Sequence, residues 1–243
     1  MALPKVSTPT YELTIPSSGK KVSYRPFLVK EEKTLLMAAE DQNVSTITKA
    51  MKDIISACTE GTVDLDTLAP YDIEYVFLQL RGKSIGDVIT VNLKKPESIE
   101  CESDCPGHAE IKIKVDDIKV DTSKIIDSKI ELTEDIGIKL GYPQLDSVQK
   151  YTTKDGGMDP EGVFKMINDC IEYIWEDDEI YKAKDSTKKE LTDFVESLNT
   201  EQFGKIRNFF ESMPRLKHEV TWTCPKCNKS APLLLEGIDS FFG

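Results

Sequence analysis

The sequence predicts an α+β fold: an N-terminal β-hairpin with helices, a ribbon-like β unit split in two along the chain, and a helical segment inserted into it. Three observations predict this. Apolar residues alternate with period two at 11–24 and again between 85 and 115, which marks strands. Between them, and again after residue 159, apolar residues recur at helical spacing. Two cysteine pairs, Cys101/Cys105 and Cys224/Cys227, each lie between strand patterns, with 118 residues separating the pairs.

Taken in order, Tyr11, Leu13 and Ile15 alternate, Pro16-Ser17-Ser18-Gly19 turns the chain, and Val22 and Tyr24 alternate again before Pro26. A helix is expected from about Lys30, with Leu35, Leu36 and Ala39 on one face. A second, at 45–59, is capped by Ser45, carries Ile47, Met51, Ile54, Ile55 and Cys58 on one stripe, and stops at Gly61. A third, at 70–82, opens on Pro70 and carries Ile73, Val76, Phe77 and Leu80. Ile85 to Leu93 then leads as a strand into the first cysteine pair, and Ile111, Ile113 and Val115 lead out of it. Short strands are expected near 128–133 and 136–140, and an exposed loop from Lys150 to Asp159. Asp159-Pro160 starts a helix whose stripe runs Val163, Phe164, Ile167, Cys170, Ile171 and Ile174, with the acidic run Glu176-Asp-Asp-Glu179 as its solvated end. Thr187 and Glu190 form a capping box before Leu191, Phe194, Val195 and Leu198. Phe203, Ile206, Phe210 and Met213 define the last helix, ended by Pro214. The chain thus divides into an α/β portion at 1–149, a helical segment at 150–214, and a closing strand and tail at 215–243.

Composition narrows the function. The 243 residues carry 31 Lys and Arg against 43 Asp and Glu, a net charge of −12. Such a surface repels phosphate backbones, so no nucleic-acid partner is expected. No apolar run approaches the roughly 18 residues needed to span a bilayer, and the N-terminus lacks the apolar stretch of a signal peptide. The expected place of the protein is therefore the cytosol of the cell that makes it, where thiols stay reduced and the six cysteines are better metal ligands than disulfides. There is no P-loop, dinucleotide fingerprint, HExxH or GxSxG. Gly82-Lys83-Ser84 echoes only the end of a P-loop. The basic residues Lys20, Lys21, Arg25, Lys94 and Lys95 read as solubilising charge. No catalytic residues are assigned, and no enzymatic activity is expected.

The cysteines carry the chemistry. Cys224-Pro-Lys-Cys227 places two thiolates on one side of a tight turn, with Asn228 where the backbone needs a positive φ that Asn tolerates. Cys101 and Cys105 supply two more, and two strand–knuckle–strand units facing each other describe a zinc ribbon. One structural zinc held by Cys101, Cys105, Cys224 and Cys227 is the expected cofactor; four thiolates leave no open position for catalysis. His108, three residues past the first knuckle, is an alternative ligand in place of Cys101 or Cys105. Cys58 and Cys170 lie on apolar stripes and read as core residues. The tail is apolar at Leu233, Leu234, Leu235, Ile238, Phe241 and Phe242. It either packs on its own ribbon or docks on a partner, and Leu234, Ile238, Phe241 and Phe242 are the candidate partner-binding residues.

Four blocks carry a resemblance: Pro26-Phe-Leu-Val-Lys-Glu-Glu-Lys33, Phe77-Leu-Gln-Leu-Arg-Gly-Lys-Ser-Ile-Gly-Asp-Val88, the paired knuckles, and Leu-Glu-Gly-Ile-Asp-Ser-Phe-Phe at 235–242. In this order they resemble the baseplate hub (hub assembly) protein family of T-even-type contractile-tail bacteriophages, over about residues 10–145 and 215–243. The resemblance implies a structural or assembly role, other baseplate hub and tail proteins as partners, and a place in the host cytoplasm during assembly or in the virion tail. The rival expectation is a cytosolic zinc-ribbon adaptor of the transcription or translation machinery.

Overall fold

The computed structural model describes residues 6–40, 44–101, 105–122, 125–144, 147, 150–151 and 159–241. The chain folds as two units. One combines Met1–Asp121 with Arg215–Gly243; the other is the segment Thr122–Pro214 that interrupts it.

The first unit begins with the expected hairpin, β1 (Tyr11–Thr14) and β2 (Lys21–Tyr24), paired antiparallel with Leu13 opposite Val22. Helices α1 (Val29–Glu40), α2 (Val44–Cys58) and α3 (Pro70–Ile85) follow. Ile54, Ile55, Cys58, Ile73, Val76, Phe77 and Leu80 are buried, as their stripes require. Pro70 opens α3, and the fully buried Asp72 closes the entrance. Its carboxylate accepts from the Ala69 N–H (3.2 Å) and from the Ser17 N–H of the β1–β2 turn (2.9 Å), tying helix to hairpin. Gly86, at φ +143°, ends α3 in a backbone region that favours glycine.

Two further hairpins complete this unit. Strands β3 (Val88–Lys94) and β4 (His108–Lys114) pair in register from Val88–Lys114 to Lys94–His108. After β5 (Lys119–Val120) the chain leaves for the second unit and returns as β10 (Leu216–Thr223), which pairs with β11 (Ser230–Glu236) and with β5 in the order β11-β10-β5. The departing and returning strands are direct neighbours, Val120 opposite Leu216 and Lys119 opposite Lys217. One core joins these pieces: Leu78 of α3, Ile89, Val91, Ile113, Val115 and Ile118, Leu216, Val220, Leu235 and Phe241. Fully burying each such side chain stabilises by about 1.5–3 kcal/mol. Gly82 permits the close approach of α3, because a Cβ there would lie 3.1 Å from the Val115 methyls.

The second unit holds a four-stranded antiparallel sheet, β6 (Lys129–Glu131), β7 (Ile136–Leu140), β8 (Ile171–Glu176) and β9 (Glu179–Lys182), in sequential order. It also holds α4 (Pro160–Cys170), α5 (Lys188–Glu196) and α6 (Thr200–Glu211). Asp159 caps α4, and Thr187 and Glu190 form the expected capping box on α5. Helices and sheet share a core of Ile130, Leu132, Ile138, Leu140, Ile167, Ile171, Leu191, Val195, Ile206 and Phe209. The inserted segment is not helical throughout. The α4 stripe was expected to run to Ile174, but the helix stops at Cys170 and Ile171-Glu-Tyr-Ile-Trp-Glu176 is strand. Its alternating β-branched and aromatic residues find a partner strand in β7, with Ile138 opposite Ile174, and that pairing outweighs the continuing helical period. The acidic run 176–179 is accordingly the tip of the β8–β9 hairpin rather than a helix end, with Asp177 at φ +50°. In β7, Gly137 lies under the Trp175 ring, whose nearest atom would sit 1.9 Å from a Cβ. Most of the loop expected at 150–159 lies outside the described residues.

Candidate metal centre

Each cysteine pair stands at the tip of one hairpin of the first unit, Cys101 and Cys105 between β3 and β4, Cys224 and Cys227 between β10 and β11. Local backbone bonds shape the second tip. Cys224 N–H donates to Lys229 O (2.9 Å), Asn228 N–H donates to Cys224 O (3.0 Å), and Asn228 takes the left-handed conformation at φ +57°. At the first tip, Lys95 N–H donates to Gly107 O (2.9 Å) and the Lys95 ammonium to Ile99 O (3.1 Å).

Contacts between the hairpins bring the tips together. Trp222 is fully buried and its Nε1–H donates to Leu93 O across to the other hairpin (3.1 Å). The Lys229 ammonium donates to Glu100 O (2.6 Å). Ile99, Ala109, Trp222 and Cys224 form a small core beneath the thiols, with Leu93, Ile111 and Ala231 against it. These cross-hairpin bonds were not legible in the sequence, because each joins residues 129 positions apart.

The four sulfurs of Cys101, Cys105, Cys224 and Cys227 all lie within 4.8 Å of one another, and the Cys227–Cys101 pair is 3.6 Å apart. A tetrahedral zinc with bonds of about 2.3 Å would set its sulfurs about 3.8 Å apart, so the cluster has the dimensions of a closed four-thiolate site. Cys224 is buried and the other three are partly covered. Burial and hydrogen bonding with Cys227 and Cys224 push the Cys101 thiol up to about 12, and the Cys105 thiol rises for the same reasons. Cys224 is pulled down to about 6, chiefly by the N–H of Cys227 and despite burial. A divalent cation at the centre would favour the thiolate form of all four. Among the described residues His108 is outside this group: it is an exposed β4 residue opposite Lys94. Cys58 and Cys170 are buried in the helices, as expected, with their thiols pushed up to about 11 and about 12 by desolvation.

The tail folds back on its own unit. Phe241 is completely buried, Ile238 packs beside it, and Leu235 is 5% exposed, whereas Leu234 on the opposite face of β11 is 52% exposed. Phe242 lies outside the described residues. Of the four candidate partner-binding residues, Leu234 is therefore the one exposed among those described, and Phe241 serves the core.

The family model described as T4 bacteriophage base plate protein matches residues 8–243, nearly the whole chain. The chain belongs to this family. No curated protein and no solved structure matches it. In this base plate protein the two N-terminal blocks that carried the resemblance meet in space. Phe27 stacks on Phe77 at 5.9 Å, and Phe27 N–H donates to the Ser84 hydroxyl (2.8 Å). Beside them Arg25 donates to Glu31 Oε1 (2.8 Å), to Ala57 O (3.2 Å) and to Pro26 O (2.9 Å), closing the end of α2, while Glu31 Oε2 accepts from Leu28 N–H (2.8 Å). The Phe27–Phe77 stack, the Phe27–Ser84 bond and the Arg25 bonds to Glu31 and Ala57 join separate elements, whereas the Arg25–Pro26 and Leu28–Glu31 bonds are local. Among the described residues no helix is long and apolar enough to cross a membrane.

Proposed function

We propose that the protein is a structural or assembly component of the baseplate hub, that it acts by contacting other hub and tail proteins rather than by catalysis, and that its four cysteines hold one structural zinc. The match to the base plate family over residues 8–243 carries this reading. The donor set supports zinc, since four soft thiolates at tetrahedral spacing suit it and leave no position for a substrate. The metal joins two hairpins whose strands are otherwise tied by Trp222, Lys229 and the shared core. The rival zinc-ribbon adaptor draws on the knuckles alone, and the net charge of −12 disfavours its nucleic-acid version. The protein then works in the host cytoplasm during assembly and in or on the tail baseplate.

Contact surfaces are available. Leu234 carries the proposed partner contact of the C-terminal segment, while Ile238 and Phe241 pack with Leu235 in the core; Phe242, also proposed for the contact, lies outside the described residues. On α1, Val29, Leu36 and Met37 recur at helical spacing and are 81%, 61% and 62% exposed. The test is complementation of a phage lacking the gene with Leu234→Asp or Leu36→Asp protein. Soluble, metal-loaded variants that no longer support baseplate formation are expected. Normal baseplates from both variants, or baseplates that form without the protein, would reject the contact role.

A further inference from the structure

We propose that the β9 edge of the second unit is a self-association site, where a second copy of this chain adds antiparallel to it about a twofold axis through Ile180. This goes beyond the base plate reading and rests on the second unit alone. Among the described residues β9 ends its sheet, all four of its residues are exposed, and Ile180 and Tyr181 are 60% and 45% exposed. Soluble proteins usually blunt such an edge or pair it.

The hydrogen-bond pattern fixes which registers are open. Asp177 N–H donates to Asp135 O (2.8 Å) on the β7 side of β8, so Glu176 and Ile174 turn their bonding groups to β9, opposite Glu179 and Tyr181. Ile180 consequently aims its N–H and C=O outward, as Lys182 does its N–H, while Lys182 O accepts from the Ser186 hydroxyl (3.3 Å). An antiparallel partner must pair outward groups with outward groups, which requires a twofold through a residue, and the two inner residues of the strand are Ile180 and Tyr181. A twofold through Tyr181 would set Ile180 against Lys182, and would set Glu179 and Asp178 against Ala183 and Lys184, which have left the strand for the turn at Ala183–Asp185. A twofold through Ile180 sets Ile180 against the partner copy's Ile180, Glu179 against its Tyr181, and Asp178 against its Lys182, each of the last two occurring twice. Charge complementarity selects this register.

The apolar face agrees. Trp175 lies opposite Ile180 in the β8–β9 pair, on the same face of the sheet, with the Lys129 ammonium 5.0 Å from the Trp175 ring. The twofold extends that face into one row: Trp175, Ile180, and the partner copy's Ile180 and Trp175. Two four-stranded sheets become one of eight.

The experiment uses the full, metal-loaded chain. Sedimentation across a concentration series should show a monomer–dimer equilibrium. Asp178→Lys alone should weaken the dimer at least about tenfold, since it sets like charges opposite each other twice, and Asp178→Lys with Lys182→Asp should restore it. Directly opposed residues that exchange both hydrogen bonds have Cα atoms about 5.5 Å apart, within disulfide range. Ile180→Cys should therefore form a disulfide dimer on mild oxidation, with the parent chain as baseline. Tyr181→Cys should do so only when mixed with Glu179→Cys. Melting curves check that these exposed-site variants stay folded. A chain that stays monomeric at every concentration overturns the proposal, as does a charge swap without rescue or a Tyr181→Cys that cross-links alone as readily as Ile180→Cys.

Discussion

The two units solve one problem in different ways. Each contains short strands that could not stand alone as an isolated hairpin. The second unit covers its sheet with three helices and fills the space with large side chains, among them the stacked pairs Tyr142–Phe209 and Phe164–Phe203. The ribbon tips of the first unit have only a small core, Ile99, Ala109, Trp222 and Cys224, and supplement it with a four-thiol cluster. Where a chain has room for helices, packing suffices; where two hairpin tips meet over a small core, four thiols gather within reach of one proposed metal.

The largest expected effect tests that metal. Structural zinc contributes on the order of 10 kcal/mol in small metal-tied folds, so Cys224→Ser or a strong chelator should abolish metal binding and expose the β3–β4 and β10–β11 amides to hydrogen exchange. Protection of β7 and β8 should persist. Metal analysis near one equivalent for the parent chain, and exchange measured by mass spectrometry, check both halves; loss of protection in both units together would break the contrast. The converse variant is Phe209→Ala, at a side chain 1% exposed. It should cost the second unit about 3–5 kcal/mol while the metal content stays unchanged. If metal were lost too, the units would not be separate in stability.

A smaller effect sharpens the comparison within the first unit, whose N-terminal end holds the ion pair of Arg25 and Glu31. Burial opposes the charge on Glu31, but its bonds to Arg25 and to Leu28 N–H prevail and hold its carboxyl below the ordinary carboxylate value. A lowered folded-state value means stability that is present above the unfolded value and lost as pH falls through the folded one. Acid melting of the parent chain should therefore show a decline below the usual Glu range, and Glu31→Gln should flatten that part of the profile. An unchanged profile would remove Glu31 from the account.

What was legible in the sequence followed from how local each signal is. The helix starts at Pro70, Asp159 and Thr187 were readable because a cap and its helix are a few residues apart. The clustering of the four cysteines was readable because the chemistry of cysteine and the two short spacings leave few alternatives, and Asn228 took the positive φ that its place in the turn required. The strand at Ile171–Glu176 was missed because its apolar residues also satisfy helical spacing, and its deciding partner, β7, is distant in the chain. The depth of Phe241 was equally hidden, since an apolar tail reads the same whether it covers its own core or a neighbour's.

The pairing of β5 with β10 has a mechanical consequence. The chain enters the second unit just after Val120 and returns just before Leu216, and those two residues lie side by side in an antiparallel pair. Tension applied to the second unit therefore pulls both strands from the same end and in the same direction, so it neither slides one along the other nor peels them apart. From that joint β10 runs straight to Cys224, and the other strand path leads back through β4 to Cys105. Both tethers lead to the four-thiol cluster, so a metal held there would tie the far ends of the two load-bearing paths to each other.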